Sequence, residues 1–181
     1  MTLNHEDIMR PHGRDLTDAE LEAVAAQFAA RPELWSEHVS HDPGHRTYAQ
    51  LLRDEHLDVW LLCWSRDHDT GFHDHDLSAG AVAVAAGAVR EDRLALGRSV
   101  DEPISRIATA GTSFSFTASD IHRVLHAGEG PAVTVHAYSP PLVRMGSYMV
   151  EPNGQLHRHA VTYEDELREL DPSEVTRLAA S

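Results

Sequence analysis

Hydrophobic positions along this chain follow two different periods. In residues 17–31, TDAELEAVAAQFAAR, the apolar positions Leu21, Val24, Ala25 and Phe28 recur at the spacing of one helix face. Thr17 and Glu20 stand three apart ahead of that run, the spacing of a capping box, so the helix is expected to open at Thr17. Pro32 marks its end or the start of a short further helix, PELWSEHV. From about Val59 the period changes. VWLLCW, AGAVAVAAGAV, TSFSF, HRVLHA and AVTVHAYS are short β-rich runs separated by turn material such as SRDHDTG, AGEGP and EPNGQ. Asn153-Gly154 is a tight-hairpin signal. The last stretch, YEDELRELDPSEVTRLAA, reads as an exposed helical tail whose acidic run is a solvated face. Evenly spaced short strands after a helical start predict a β-barrel or jelly roll, because closure removes exposed strand edges. The expected organisation is one domain over 1–181, with a helical segment at 1–44, a barrel at about 45–160 and a helical tail at 161–181.

Composition narrows the function classes. At 181 residues, with 41% hydrophobic and 24% charged residues, the chain can bury a sizeable core. Its formal net charge of −14 argues against a nucleic-acid partner, which needs a basic surface. The start, MTLNHEDIMRPHGRDL, has no apolar run of signal-peptide type, and no stretch approaches the ~20 apolar residues that span a bilayer. No membrane partner is therefore expected. The single cysteine, Cys63, excludes an internal disulfide framework and any multi-cysteine zinc site. A cytoplasmic setting is the natural inference, with Cys63 as a small buried apolar residue.

The candidate chemistry lies in GFHDHDLSAG, residues 71–80. Fourteen of 181 residues are histidine, so close pairs will arise by chance. On a β-strand, however, His73 and His75 point to the same side and form a two-imidazole claw for a first-row metal. Downstream, Gly111 opens a strand and His122 follows it by eleven positions. His73, His75, Gly87, Gly111 and His122 together resemble the two-motif pattern of the cupin superfamily. That resemblance implies a mainly β double-stranded β-helix, or jelly-roll barrel, in which the three histidines hold a metal. Thr117 and Ser119 replace the proline and glycine of the second motif. The acidic ligand of the first motif is missing, since Asp76 adjoins His75 and should face the opposite side. Three neutral imidazoles leave a divalent ion at +2, which suits an anionic donor such as a thiolate beside dioxygen. Iron(II), Fe(2+), is favoured over zinc because oxygen chemistry needs a redox metal.

The segments VWLLCW, TGFHDHDLSAGAVAV, DIHRVLH and above all VTVHAYSPPL resemble the thiol dioxygenases, the cysteine dioxygenase family, over roughly residues 45–150. Thr134, His136 and Tyr138 match that family's Ser-x-His-x-Tyr segment ahead of Ser-Pro-Pro, and strand alternation puts them on one face. The resemblance implies an enzyme that adds both atoms of O2 to a small thiol to give a sulfinate, with cysteine as the first-choice substrate. Animal members join a cysteine to the active-site tyrosine. Gly80 occupies that cysteine's position, so Tyr138 is expected to be unmodified.

Tyr48 and Gln50, in TYAQLLRDEH, match a Tyr-x-Arg segment whose arginine holds the substrate carboxylate. Glutamine there resembles the branch acting on 3-mercaptopropionate and related thiols. Arg144 is then the first candidate cation, with Arg46 and Arg53 behind it. His126, Trp60 and Trp64 are read as rim or packing residues, and His38, His41, His45, His157 and His159 as lying outside the site. A non-enzymatic metal-binding sensor is the reading from a different class, weakened by the Thr-His-Tyr segment that a passive metal holder does not need. The expected partners are a small thiol and O2, in a monomer or weak homo-oligomer.

Overall fold

The computed structural model describes residues 8–95, 99–151 and 155–162. The Asn153-Gly154 hairpin signal and the C-terminal helical expectation lie outside the described residues. The helix α1, Asp18–Ala29, begins as its sequence requires: Glu20 N donates to Thr17 Oγ1 at 3.4 Å, and Thr17 N donates to Glu20 Oε2 at 2.9 Å. Its buried residues are Leu21, Val24, Ala25 and Phe28, the face that the periodicity marks. The expected short second helix is instead two 3₁₀ turns, Pro32–Leu34 and Ser36–His38.

Eleven strands follow among the described residues: β1 Thr47–Arg53, β2 Asp58–Trp64, β3 Phe72–Asp74, β4 Ala79–Ala86, β5 Ala88–Arg93, β6 Ile104–Thr109, β7 Ser113–Phe116, β8 His122–Ala127, β9 Ala132–Ser139, β10 Arg144–Val150 and β11 Leu156–Thr162. They form two antiparallel sheets, ordered β1-β2-β9-β4-β7 and β11-β10-β3-β8-β5-β6. The jelly-roll expectation therefore holds as two sheets with open edges, and no hydrogen-bonded ring closes into a barrel.

Strand alternation divides the core in two. On β2 and β9, Val59, Leu61, Cys63, Val133, Val135 and Ala137 pack with α1. The intervening Trp60, Leu62, Trp64 and Tyr138 join the second cluster, between the sheets. Both strands are buried on both faces, which explains their near-continuous apolar runs. Cys63 is buried on the helix side, away from the sheet-to-sheet interior.

The strand boundaries differ from the sequence expectation in three places. Strands begin at Thr47 rather than Val59, because β1 buries only part of one face at a sheet edge. AGAVAVAAGAV divides at Gly87, whose φ of +70° ends β4 and sends the chain into the other sheet. A Cβ there would sit 2.6 Å from Pro131 O, so the backbones meet too closely for any other residue. Strands β5, β6, β10 and β11 carry charged or exposed residues that mask a hydrophobic run. No helix of the described residues is long and apolar enough to cross a membrane.

Candidate metal centre and active site

His73 lies on the three-residue strand β3, which is pinned between β10 and β8; its register partner on β8 is His122. His75 follows just beyond β3. The ligand atoms of His73, His75 and His122 all lie within 4.8 Å of one another, and the three side chains are buried. Asp74, between the two histidines, points to the other side of the strand. There it takes Arg158 Nε at 2.7 Å, Arg158 Nη2 at 2.9 Å and the Tyr148 hydroxyl at 2.6 Å. These bonds tie the short strand β3 to the paired strands β10 and β11. Burial pushes the Asp74 carboxyl up, but the donors outweigh it and hold it at about 2. Asp76 has a φ of 55° and faces Arg144 and Arg158, outside the histidine cluster, as its parity requires.

Each imidazole is held differently. His73 Nδ1 is 3.0 Å from Gly71 O. His122 Nδ1 is 2.8 Å from Glu91 Oε1. His75 stacks on Phe116, with ring centroids 4.5 Å apart and planes at 22°. His122 Nε2 and both ring nitrogens of His75 are buried without a hydrogen-bond partner among the described residues. Leaving such atoms unpaired costs about 1–3 kcal/mol each, and a shared metal ion would satisfy one nitrogen of each ring. The donor set therefore fits a first-row metal that accepts imidazole. Burial, and after it the neighbouring imidazoles, push His73 and His75 well below the usual range. Burial also lowers His122, against the pull of Glu91. All three are thus neutral, the form that coordinates a metal.

Thr134, His136 and Tyr138 share the inner face of β9 and are hydrogen-bonded in series. Trp64 Nε1, which can only donate, is 2.8 Å from Thr134 Oγ1. Thr134 Oγ1 is 2.9 Å from His136 Nε2, and His136 Nδ1 is 3.2 Å from the Tyr138 hydroxyl. Thr134 is fully buried, so its hydroxyl proton goes to His136 Nε2. Burial above all, with the nearby Arg46 cation, holds His136 down at about 3, so the ring is neutral with its proton on Nδ1. That proton points at the Tyr138 hydroxyl oxygen. Gly80 lies against this residue: a Cβ there would be 2.3 Å from Phe116 Cζ and 3.0 Å from Tyr138 Cδ1. Phe116 fills the room that a side chain at position 80 would need.

These groups meet in one small cavity of about 30 Å³, two or three water positions. Its wall includes His73, His75, His122, His136, Tyr138 and Arg46, and its apolar lining includes Trp60 and Leu142. Three of the sequence candidates lie elsewhere. Gln50 is exposed and donates to the buried Asp58 at 2.8 Å. Tyr48 is 44% exposed and stands edge-on to Trp60, outside the cavity lining. Arg144 pairs with Asp76 at 3.0 Å and lines an outer groove that shares only His75 with the cavity. Arg53 is likewise paired with Asp58. Arg46 is the one cation on the cavity wall among the described residues. It is 3% exposed, donates to Asp69 O at 2.6 Å and lies over the Trp64 ring at 5.6 Å. His126 bonds Gly130 O at 2.7 Å, away from the cluster, and His157 and His159 sit on the edge strand β11. Sequence reasoning did not single out Glu91, Asp74 or Phe116, whose roles depend on partners from other strands.

Residues 6–150 match the family model for cysteine dioxygenase type I. The chain belongs to this family. A cysteine dioxygenase type 1 from Bos taurus is 25% identical over 138 residues, covering 71% of this chain and 68% of that protein. Its Homo sapiens counterpart is 23% identical over the same length and shares. A Klebsiella pneumoniae protein with a double-stranded β-helix domain superposes with a TM-score of 0.51 at 15% identity, covering 70% of this chain and 88% of that one. The last likeness concerns the fold alone. The family places the chain among metal-dependent oxygenases, and its three-histidine group is one that could hold a metal ion.

Buried neutral imidazoles give the metal-free protein a signed pH dependence. The unfolded chain takes up protons near the ordinary value of 6.5, while folded His136 does so only at about 3. Protons therefore favour unfolding in that window, and the stability present above 6.5 is lost as pH falls. The thermal midpoint of metal-free protein should be level above that value and drop steadily below it; a flat midpoint down to about pH 4 would show these rings are not held neutral.

Proposed function

We propose that this member of the cysteine dioxygenase family is a non-haem iron(II) thiol dioxygenase that converts a small thiol to its sulfinate. The balance is RSH + O2 giving RSO2H: sulfur is oxidised, both oxygen atoms end on it, and no external reductant is required. The observation that carries this reading is the convergence of three buried neutral imidazoles and a directed Trp64–Thr134–His136–Tyr138 hydrogen-bond series on one cavity. His73, His75 and His122 would hold the iron, which supplies redox chemistry and open positions for thiolate and dioxygen.

The chain's own residues do the rest. Neutral His136 holds the Tyr138 hydroxyl so that its proton is offered to the reacting group. Trp60, Phe116 and Leu142 keep the cavity apolar and small, which limits water and favours small substrates. Arg46, rather than Gln50 or Arg144, supplies the cation for a substrate carboxylate, and a guanidinium suits that group through paired hydrogen bonds. Cysteine sulfinate formation is the reaction closest to the family's name. A second reading, oxidation of 3-mercaptopropionate or a related mercapto acid, is favoured by the lining itself. Among the described residues it carries Arg46 but no carboxylate to pair with the ammonium of cysteine.

The test is turnover of cysteine, cysteamine and 3-mercaptopropionate by the iron-loaded protein. Arg46→Gln should lower kcat/KM for the two carboxylate-bearing thiols about 10- to 100-fold, the worth of one charged hydrogen bond, and spare cysteamine. An equal loss for all three would remove Arg46 from substrate recognition. Tyr138→Phe should keep its iron but slow sulfinate formation or uncouple it from oxygen consumption. Unchanged turnover and coupling would reduce the β9 series to packing.

A further inference from the structure

The buried carboxylate of Glu91 is not used by the substrate or as a ligand, yet it touches the metal-side cluster. We propose that Glu91 is a positioning residue for the metal centre, fixing which nitrogen of His122 faces the ion and at what angle. The inference rests on the three-histidine metal reading above.

Glu91 lies on β5, register partner of Val124 on the neighbouring β8, and is 2% exposed. Its Oε1 accepts Arg93 Nη2 at 2.9 Å and its Oε2 accepts Arg106 Nε at 2.5 Å. A carboxylate held by two guanidinium groups stays ionised and can only accept. The 2.8 Å contact to His122 Nδ1 therefore places the imidazole proton on Nδ1. The lone pair is then on Nε2, the very atom of His122 that is buried without a hydrogen-bond partner.

The other two rings meet groups of a different kind. His73 Nδ1 lies against the Gly71 carbonyl, and His75 stacks on Phe116. No carboxylate belongs to the ligand cluster itself among the described residues. Glu91 is therefore an acidic group that acts on this centre from one hydrogen bond behind the ligand. Carboxylates placed behind a ligating histidine raise its basicity and lock its tautomer, and losing one costs roughly 10–100-fold in metal affinity.

The experiment uses full-length metal-free protein titrated with Co(II), with affinity read by competition against a chelator and geometry read from the visible cobalt bands. Glu91→Ala should weaken Co(II) binding by about 10–100-fold and shift the bands. Glu91→Gln should shift the bands with a smaller loss of affinity, since an amide oxygen accepts the same hydrogen bond without the charge. Thermal midpoints of the metal-free variants report folding separately. A lowered midpoint with wild-type affinity and bands in the folded variants would overturn the proposal and leave Glu91 a structural residue. Where Glu91→Ala does not fold, unchanged affinity and bands in Glu91→Gln would do the same. Failure of the wild-type protein to bind Co(II) at all would instead sink the three-histidine reading.

Discussion

Four imidazoles, those of His73, His75, His122 and His136, are enclosed between two β-sheets, and each polar nitrogen so enclosed must find a partner or cost stability. Much of the surrounding structure answers that demand. A backbone carbonyl serves His73, a carboxylate held by two arginines serves His122, and a threonine capped by tryptophan serves His136. These contacts leave His122 Nε2 and both His75 nitrogens without a hydrogen-bond partner among the described residues, in the wall of a small cavity that Tyr138 also lines. Burial makes the imidazoles neutral, and neutrality makes them ligands and acceptors rather than cations.

The site is stiffened from behind by ion pairs that never reach the cavity. Asp74 sits between the ligating pair, yet its bonds to Arg158 and Tyr148 anchor the three-residue β3 to the paired strands β10 and β11. Gly146 on β10 permits this approach, because a Cβ there would lie 2.2 Å from Arg158 Nε. On the opposite flank, Glu91 joins β5, β6 and β8 through Arg106 and His122. The charged groups on β5 and β11 are thus part of the scaffold that holds the ligands at fixed positions, even though they are remote from the chemistry.

Legibility from sequence followed the range of each interaction. The helix α1 could be read in full, because its cap and its apolar face are set by residues three and four apart. The Thr134–His136–Tyr138 face was equally plain, since period-two alternation acts within one strand. His122 needed the resemblance to a two-motif family, because nothing local ties it to His73. Glu91 and Asp74 were invisible for the same reason: each acts through partners on other strands. Gln50 shows the limit of parity. Its position matches the family's substrate arginine, but at the exposed edge of the sheet its amide is engaged by Asp58, while Arg46, four residues earlier, is the buried cation on the wall. Strands β6, β10 and β11 and the charged half of β5 were not marked as runs because their charged or exposed residues interrupt the apolar pattern that marks strands elsewhere.

Family membership, the three-histidine cluster and the β9 hydrogen-bond series converge on one chemical claim, that dioxygen is divided wholly onto a thiol sulfur. The most direct measurement is mass spectrometry of the sulfinate formed by iron-loaded protein under isotopically heavy dioxygen, with oxygen uptake followed in parallel. Both sulfinate oxygens should carry the label, with one dioxygen consumed per sulfinate. Oxygen uptake that no small thiol stimulates, or a sulfinate whose oxygen comes from water, would contradict thiol dioxygenase chemistry at this site.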